Sequence, residues 1–460
     1  MPRHLPAFLF VCAAVVSEGP RAVADTIYVD ARAAGPVHDG TSWCAGFVHL
    51  QDAIAAASLS DTIRVAAGTH RPDHGVGQVA GDRAASFRLA GGVTLLGGFA
   101  GCTAADPDER NVARHETILH GDLNDDDQPG LLHNEENSYH VVRGEFNGAT
   151  AVLDGFTIVG GNANGGDLHN RGGGLFLTSG QADIRDCTFR GNWGRFGGAI
   201  NSDGSGLNVM NTVFDGNVAG FSGGAMRCWD TSLSIHNCLF VANRAEAGGG
   251  AWIGASTAFL GNCTFSDNAA FAGSALAFDS CCPQQPSGFE AVNCILWNSG
   301  GEIANDDGSS VFVGFSAVAG GSSGFGNIAD DPLFVPGPAG CHYLSHSAAG
   351  NVQNSPAIDA GADAAATFGF EMRTTRRDEI GDAGTADMGY HYPMTARPFL
   401  MGDWNRSTRV DLRDLAILQA CFTGEGPLDV PPCCRIFDFD EDADIDLIDA
   451  EAFHNVLTGP

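Results

Sequence analysis

The chain has 460 residues, of which 63 are glycine, 17% are charged and 44% are apolar. This composition excludes an intrinsically disordered chain, because it supplies enough apolar residues for a large core. All 24 basic residues are arginine, which excludes a lysine base, a Schiff base and a phosphate-binding P-loop lysine. The 55 acidic residues bring the net charge to −31, which opposes nucleic acid and anionic membranes as partners and favours cations.

The first residues have the pattern of a secretory signal peptide. Arg3 precedes an apolar run over residues 5–16, and Ala22, Val23 and Ala24 form a small-x-small cleavage site. That run is too short to span a bilayer, and no later stretch reaches about 18 consecutive apolar residues. We therefore predict a signal peptide over residues 1–24, a secreted or cell-surface protein, and no membrane span.

The next segment predicts a strand at residues 26–30, a short helix at residues 50–57 and a strand at residues 62–65. Two further strands are expected at residues 86–89 and 93–96. This order resembles the start of pectin-lyase-like β-helix proteins. The resemblance implies that the helix, with Leu50, Ile54 and Ala57 on one face, covers the open end of the β-helix.

A glycine-rich sequence then recurs through the middle of the chain. Its copies begin at Gly173, Gly197, Gly223, Gly249 and Gly273, at steps of 24, 26, 26 and 24 residues. Each copy ends in an apolar residue, a polar bend residue and a phenylalanine, as in Phe189, Phe214, Phe240 and Phe265. Asparagines recur at Asn192, Asn217, Asn243, Asn268 and Asn298, where their amides can hydrogen-bond from coil to coil.

Repeats of this length predict a right-handed, single-stranded parallel β-helix, because glycine pairs and period-two aromatic residues disfavour helical repeats. The bend residues are followed by a column with Cys187, Cys238, Cys263 and Cys294. Side chains stacked in parallel strands run side by side, so we expect buried thiols here instead of disulfides. Better candidates for bridges lie in loops, at Cys44, Cys102, Cys281, Cys282 and Cys341.

The pairing of the motif Gly-Gly-Ala-Ile with Phe-x-x-Asn resembles polymorphic outer-membrane-protein repeats, which form bacterial surface β-helices, several of them adhesins. The motifs stand at residues 197–200 and, for example, at residues 189–192 and 214–217. Past the repeats, residues 354–361 and 386–390 resemble the closing motifs of bacterial β-helix proteins with variable anchoring modules. Between them, Arg373, Arg376 and Arg377 are expected in a loop folded back on the last coil. Asp359 and Asp387 are expected to pair with these arginines; cation binding is the alternative.

The strongest chemical motif lies near the end of the chain. Aspartates occupy the six ligand positions of a calcium-binding loop: Asp438, Asp440, Asp442, Asp444, Asp446 and Asp449. A weaker loop begins 35 residues earlier with the same spacing: Asp403, Asn405, Ser407, Arg409, Asp411 and Asp414. Each loop leads into a predicted helix, over residues 412–421 and 447–457, and Cys421 could link the two units by pairing with Cys433 or Cys434.

Two tandem loop–helix units resemble a dockerin module over residues 401–460. The resemblance implies calcium as the bound ion and a cohesin-like or cell-envelope partner. We therefore expect three segments: a signal peptide, a pectin-lyase-like β-helix with an N-terminal helical cap over residues 25–395, and a small α-helical dockerin-like module over residues 396–460.

No spacing of residues indicates a particular reaction. The best local candidates for an acid site are residues 120–127 and 133–140, the second with Glu135 and Glu136; a structural calcium site or a solvated loop is the simpler interpretation. Five arginines recur on the coils, and they either line a groove for an acidic sugar or balance carboxylates: Arg171, Arg190, Arg195, Arg227 and Arg244. We expect a noncatalytic protein that binds polysaccharide or the cell envelope; the alternative is a polysaccharide lyase or glycoside hydrolase that carries a dockerin.

Overall fold

Short strands separated by bends recur along the chain and stack into long parallel sheets. The computed structural model describes residues 25–128, 130–145, 148–279, 285–395, 400–404, 409–423, 430, 433–440 and 444–457. The predicted signal peptide, Cys281 and Cys282 therefore lie outside the described residues. The predicted fold class is confirmed: the chain is mostly β, and its strands stack into the long parallel sheets of a parallel β-helix.

Three parallel sheets form the walls of the β-helix. The first sheet has ten described strands: Thr26–Val29, Thr62–Ala66, Thr94–Phe99, Ala151–Asp154, Gln181–Arg185, Gly206–Met210, Ser232–His236, Thr257–Gly261, Gly288–Val292 and Ser310–Gly314. The second has nine: Gly68–His70, Thr117–His120, Thr157–Val159, Thr188–Arg190, Val213–Asp215, Leu239–Val241, Thr264–Ser266, Ile295–Trp297 and Ala317–Val318. The third has eight: Phe87–Arg88, Val142–Glu145, Leu175–Thr178, Ile200–Asp203, Met226–Trp229, Ala251–Gly254, Leu276–Phe278 and Ile303–Asn305.

Smaller elements complete the chain. A short parallel sheet joins three strands: Asn162–Ala163, Trp193–Phe196 and Val218–Ser222. Two antiparallel pairs follow the last coil: Phe334–Gly337 with Gly340–Leu344, and Arg373–Thr374 with Tyr392–Pro393. The α-helices are α1 (Leu50–Ala56), α2 (Ala365–Phe368), α3 (Leu412–Cys421) and α4 (Leu447–Val456), and single 3₁₀ turns lie at Asp167–Asn170, Ser347–Ala349, Phe370–Met372 and Cys434–Phe437.

The repeated phenylalanines form one internal column, as the repeat predicts. Phe189, Phe214, Phe240 and Phe265 are fully buried and pair in register on successive strands of the second sheet. Their ring centroids are 5.4, 4.6 and 4.2 Å apart and the rings stack nearly parallel. Burial of a phenylalanine side chain stabilises a fold by about 1.5–3 kcal/mol, so each ring of this column contributes measurably to the stability of the coils.

The asparagine column is a continuous hydrogen-bonded ladder. In Asn192, Asn217, Asn243 and Asn268, the side-chain nitrogen donates to the side-chain oxygen of the next asparagine at 2.9–3.1 Å. Each main-chain amide donates to the same oxygen, so one acceptor serves two donors. Because buried amides need partners, the ladder is what allows a polar column at this position.

The polar residues at the bends form a further column, the bend column, which contacts a later segment of the chain. Its residues adopt the left-handed backbone region, with φ between 47° and 58°, which asparagine and aspartate tolerate better than most residues: Asp186, Asn211, Asn237, Asn262 and Asn293. Residues 386–391 run back across these bends, because Gly389 donates to the Asn293 carbonyl and His391 exchanges two hydrogen bonds with the Asn237 side chain. The segment expected to fold back on the last coil also reaches further, because its Arg373 contacts Asp186, several coils earlier.

The predicted N-terminal helix packs against the core of the β-helix. In α1, Leu50 and Ala53 are buried in the main core, and Ile54 packs against it. A disulfide joins Cys44 to Cys102 beside this end.

The thiols of the cysteine column are free and buried. Cys187, Cys238, Cys263 and Cys294 lie in the core, together with Cys228 from the third sheet. The prediction of buried thiols instead of a disulfide ladder is therefore confirmed. They act as small apolar side chains that fill the core.

Candidate metal centre in the C-terminal module

The two predicted calcium loops each end in a helix whose first turn is capped by two aspartates. Asp411 caps α3 and Asp446 caps α4, and each accepts a hydrogen bond from a main-chain amide of its helix. Asp414 and Asp449 accept in return from the main-chain amides of these capping residues, at 3.0 and 2.9 Å. This capping box holds two predicted ligand positions of each loop at the helix start, because short acidic side chains favour helix N-termini.

The second loop brings its carboxylates together. Oxygens of Asp438, Asp440 and Asp449 lie within 4.8 Å of one another, and so do oxygens of Asp444, Asp446 and Asp449. Asp449 belongs to both groups and is fully buried, and its second oxygen accepts a hydrogen bond from the Phe439 amide at 2.6 Å. An all-oxygen set of this kind is what calcium prefers. The described residues therefore fit the ion that the sequence predicts.

The first loop is less complete in the described residues. Asp403 and Asp414 are buried, whereas Arg409 is exposed. The three described carboxylates of this loop do not form a group within 4.8 Å of one another. Its predicted ligands Asn405 and Ser407 lie outside the described residues, as does Asp442 of the second loop.

The two loop–helix units contact one another through main-chain and side-chain atoms. Thr423, after α3, donates its amide to the Ile445 carbonyl at 2.9 Å, and the Ile445 amide donates to the Thr423 hydroxyl at 2.8 Å. Ile445 is fully buried among apolar residues of both helices. The units therefore share one small core.

Disulfides join the module both internally and to the β-helix. Cys421 pairs with Cys434, which resolves the two alternatives that the doubled cysteine left open. Cys433 instead pairs with Cys341, in the hairpin that follows the last coil. Arg435 donates to the Phe334 carbonyl at 2.8 Å in the same hairpin. A cavity of about 190 Å³ lies at this junction, lined by Arg377, Arg435 and the predicted ligand Asp438 among others.

This attachment was not expected from the sequence, which suggested only a module at the end of the chain. The adjacent cysteines at 433 and 434 were the available signal, because one module rarely needs both for a single internal bridge. The sequence indicates Cys341 as a candidate for a bridge but does not identify its partner.

The pairing expected for Asp387 was wrong. Its carboxylate contacts Thr375 and His346 and accepts the Asp359 amide, and no described arginine pairs with it. Although burial raises the pKa of Asp387, hydrogen bonds from His346, Thr375 and the main chain lower it below its usual value. Arg373 reaches Asp186 at 3.1 Å instead, because the segment that carries it lies across the bend column.

The coil arginines mostly balance carboxylates or lie against rings. Arg171 and Arg227 both contact Asp203, at 2.6 and 2.7 Å, on the outer side of the third sheet. Arg195 lies over Phe196. Among the described residues, Arg190, Arg195 and Arg244 make no ion pair.

The two acidic stretches named as candidates for an acid site do come together. Carboxylate oxygens of Asp122 and Asp127, from the first stretch, lie within 4.8 Å of an oxygen of Glu136 from the second. His120 accepts the Asp122 amide, whereas Glu135 is exposed.

Comparison with known proteins adds structural neighbours only. No protein-family model matches the chain. No curated protein matches it either. Among solved structures, it is similar to the pectate lyase Pel9A, with 12% identity, a TM-score of 0.42, and coverage of 80% of this chain and 96% of that chain. It is also similar to the pectin methylesterase PemA from Erwinia chrysanthemi, with 11% identity, a TM-score of 0.35, and coverage of 66% and 92%. A rhamnogalacturonan lyase gives 11% identity, a TM-score of 0.32, and coverage of 68% and 91%.

At this level of similarity, nothing about the activity of this chain follows from these neighbours. Within the described parts of the chain, no helix has both the length and the apolar character needed to cross a membrane.

Proposed function

We propose that this chain is an extracellular β-helix protein that binds polysaccharide or a cell-envelope component without catalysis, and whose dockerin-like module binds calcium and docks a cohesin-like partner. The observation that carries the proposal is the convergence of the second loop's carboxylates on two shared groups at the start of α4. Three disulfides among the described cysteines support an oxidising, extracellular location.

The noncatalytic part rests on how the coil carboxylates are used. Asp203 is held between two arginines, and Asp154 pairs with Arg110 and Asp183 with Arg185. A carboxylate that serves as a general base must reach a proton of the substrate, and these carboxylates are occupied by arginines. These three coil carboxylates therefore suit an ion-paired structural role better than general-base catalysis.

The docking part rests on apolar side chains at equivalent positions of the two helices. Leu412 is the first residue of α3 and Leu447 the first of α4, and both are more than half exposed, as is the neighbouring Ile448. Exposed aliphatic side chains at two matching sites suit a partner that binds one helix start or the other. Calcium would fix the loops that present them, because the same helix starts carry Asp411 and Asp446.

Calcium binding is tested on the full-length protein, since Cys341–Cys433 ties the module to the β-helix. We expect CaCl₂ added to EDTA-treated protein to raise the unfolding temperature of the module and to release heat in titration calorimetry. The variant Asp440→Asn removes the charge of an exposed ligand and should lower the calcium affinity at least tenfold. Glu451 is an exposed acid on α4 outside the loop, and Glu451→Gln should leave the affinity unchanged. An equal response from both variants would contradict the calcium assignment.

The noncatalytic role is tested with a panel of uronic-acid polysaccharides. We expect no unsaturated products and no new reducing ends from these polymers. Retention in affinity electrophoresis is expected on neutral polysaccharides, and on the acidic polymers only with calcium present, because the chain carries a net charge of −31. Turnover that survives repeated purification would instead establish the enzyme alternative.

A further inference from the structure

A long loop leaves the β-helix between the second and third sheets, and its two ends meet. It begins after the strand Thr117–His120 and ends before Val142–Glu145. The Ser138 amide donates to the Gly121 carbonyl at 2.8 Å, which closes the loop at its base. Acidic residues at both ends of the loop are therefore held near one another.

Three of these acids converge. Oxygens of Asp122, Asp127 and Glu136 lie within 4.8 Å of one another. Asp122 is buried, and its carboxylate accepts main-chain amides of Asn124, Asp125 and Asp127 at 2.7–3.2 Å. Its position is therefore set by the turn itself, independently of the other two acids.

The charges of the three acids are not balanced by a described cation. Arg71 is nearby, but it contacts the Asp122 carbonyl and pairs with Asp125, and none of the described ion pairs includes Asp122, Asp127 or Glu136. Asp127 Oδ1 and Glu136 Oε1 are inaccessible to solvent and have no hydrogen-bond partner among the described residues. Buried acceptor oxygens without a donor are costly, because they have lost their hydration without replacement.

Asn137 gives a separate indication that this loop binds a ligand. Its side chain is fully buried, and its nitrogen donates to Asp127 Oδ2 at 2.8 Å and to the Gly160 carbonyl at 2.7 Å. These two bonds fix the orientation of the amide beside the acids. Its oxygen has no partner among the described residues. The side chain is held against Asp127 through its nitrogen, and a cation bound by the three acids would supply a partner for its oxygen.

We propose that Asp122, Asp127 and Glu136, with the side-chain oxygen of Asn137, bind one divalent cation of the calcium type. All four donors are oxygens, which favours calcium or magnesium over zinc. Calcium suits an irregular loop better, because magnesium demands near-ideal octahedral geometry. The ion would neutralise the buried acids and hold the two ends of the loop together.

The electrostatics of the loop agree with this assignment. Burial, with smaller contributions from Asp122, Asp126 and Glu135, raises the pKa of Asp127 to about 6, although the hydrogen bond from Asn137 lowers it. Burial likewise raises the pKa of Glu136 above its usual value. Such shifts measure the cost of holding these carboxylates ionised without a counter-charge.

The test separates this site from the calcium loops of the C-terminal module. Full-length protein is stripped with EDTA and titrated with CaCl₂ by calorimetry, in the native sequence and in the variant Asp440→Asn. In both backgrounds, we expect Asp127→Asn with Glu136→Gln to remove one bound calcium ion per chain. The matched control Glu135→Gln removes an exposed charge next to Glu136 and should leave the stoichiometry unchanged.

Limited proteolysis gives a second measurement if one variant folds poorly. In the native protein, calcium should slow cleavage within residues 122–136 at least tenfold relative to EDTA, and the double variant should show no such difference. An unchanged calcium stoichiometry in the double variant, together with calcium-independent cleavage of the native loop, would overturn the proposal. That outcome would mean that the acids share a proton instead of a metal ion.

Discussion

Glu302 accepts one hydrogen bond from the main chain and one from the side chain of Asn298 at the end of the asparagine ladder. The Asn298 main-chain amide donates to Glu302 Oε1 at 2.7 Å, and its side-chain amide donates to Glu302 Oε2 at 2.6 Å. In every earlier asparagine, the main-chain and side-chain amides both donate to one oxygen of the next asparagine. In Asn298 they donate to the two separate carboxylate oxygens of Glu302. Glu302 therefore ends the hydrogen-bonded asparagine ladder, which begins at Asn192.

We expect Glu302→Gln to lower the free energy of unfolding by about 1–3 kcal/mol, because the new amide group must turn its NH₂ toward one of the two donors and leave it unsatisfied. Burial raises the pKa of Glu302, and the hydrogen bonds from Asn298 oppose this shift. Urea denaturation at neutral pH measures the change. Glu290→Gln, an exposed acid on the first sheet, is the matched control and should cost less than about 0.5 kcal/mol.

The phenylalanine column allows a second test. Phe240 is stacked between Phe214 and Phe265, with ring centroids 4.6 and 4.2 Å away. Phe240→Ala should lower the free energy of unfolding by about 3–5 kcal/mol, because it removes a buried ring and leaves a cavity that neighbouring coils cannot fill. Phe271, which is 95% exposed, is the control, and Phe271→Ala should have little effect in the same denaturation experiment. Equal losses would show that the column is not the main source of coil stability.

The sequence predicted the columns because each coil repeats the same inward residues, so equivalent positions must meet in register. Phe189, Asn192 and Cys187 could be placed this way, and α3 was placed at its observed bounds from its loop and helix pattern. Contacts between distant parts of the chain could not be predicted in this way. The Cys341–Cys433 disulfide and the contact between Arg373 and Asp186 depend on where a nonrepeating segment folds back, and no local periodicity encodes that path.

The metal-site residues also include some that the sequence predicts and some that it does not. The spacing of Asp438, Asp440 and Asp449 follows one loop, so it is visible in the sequence. Asp127 and Glu136 belong to separate turns of an irregular loop. The sequence indicates both acidic stretches as candidates, but it does not show that their carboxylates converge. The sequence does not identify Asn137 as a ligand, because the role of a single amide depends on its burial and its neighbours in the fold.

The buried thiols should be unreactive in the native protein. Burial raises the pKa of Cys187 and of Cys228 to about 12, and it raises the pKa of Cys263 and Cys294 well above the usual range. The thiolate is the reactive form, and at pH 8 a thiol with this pKa is ionised in about one molecule in 10⁴. We expect iodoacetamide at pH 8 to leave these four cysteines unmodified in peptide mapping until urea unfolds the chain. Rapid native labelling of Cys187 or Cys228 would show that the core opens easily.

His140 should make stability depend on pH. It is 1% exposed, its Nδ1 donates to the Gly172 carbonyl, and it stacks on Phe176. Burial, opposed by that hydrogen bond, lowers the pKa of His140 from 6.5 to about 4. The folded state therefore binds fewer protons than the unfolded state between these values. Stability from this histidine is fully present above pH 6.5 and is lost as the pH falls toward 4, by up to about 3 kcal/mol.

His140→Gln keeps a donor for Gly172 but cannot take up a proton. We expect the variant to be less stable than the native protein at pH 7, and the difference to shrink as the pH falls to about 4.5, because only the native protein loses stability at this site. Urea denaturation at a series of pH values measures both proteins, with the exposed His133→Gln as the control that keeps the native pH dependence. A stability difference that stays constant across this range would mean that His140 has the same pKa in the folded and unfolded chains, and would remove it as a source of acid sensitivity.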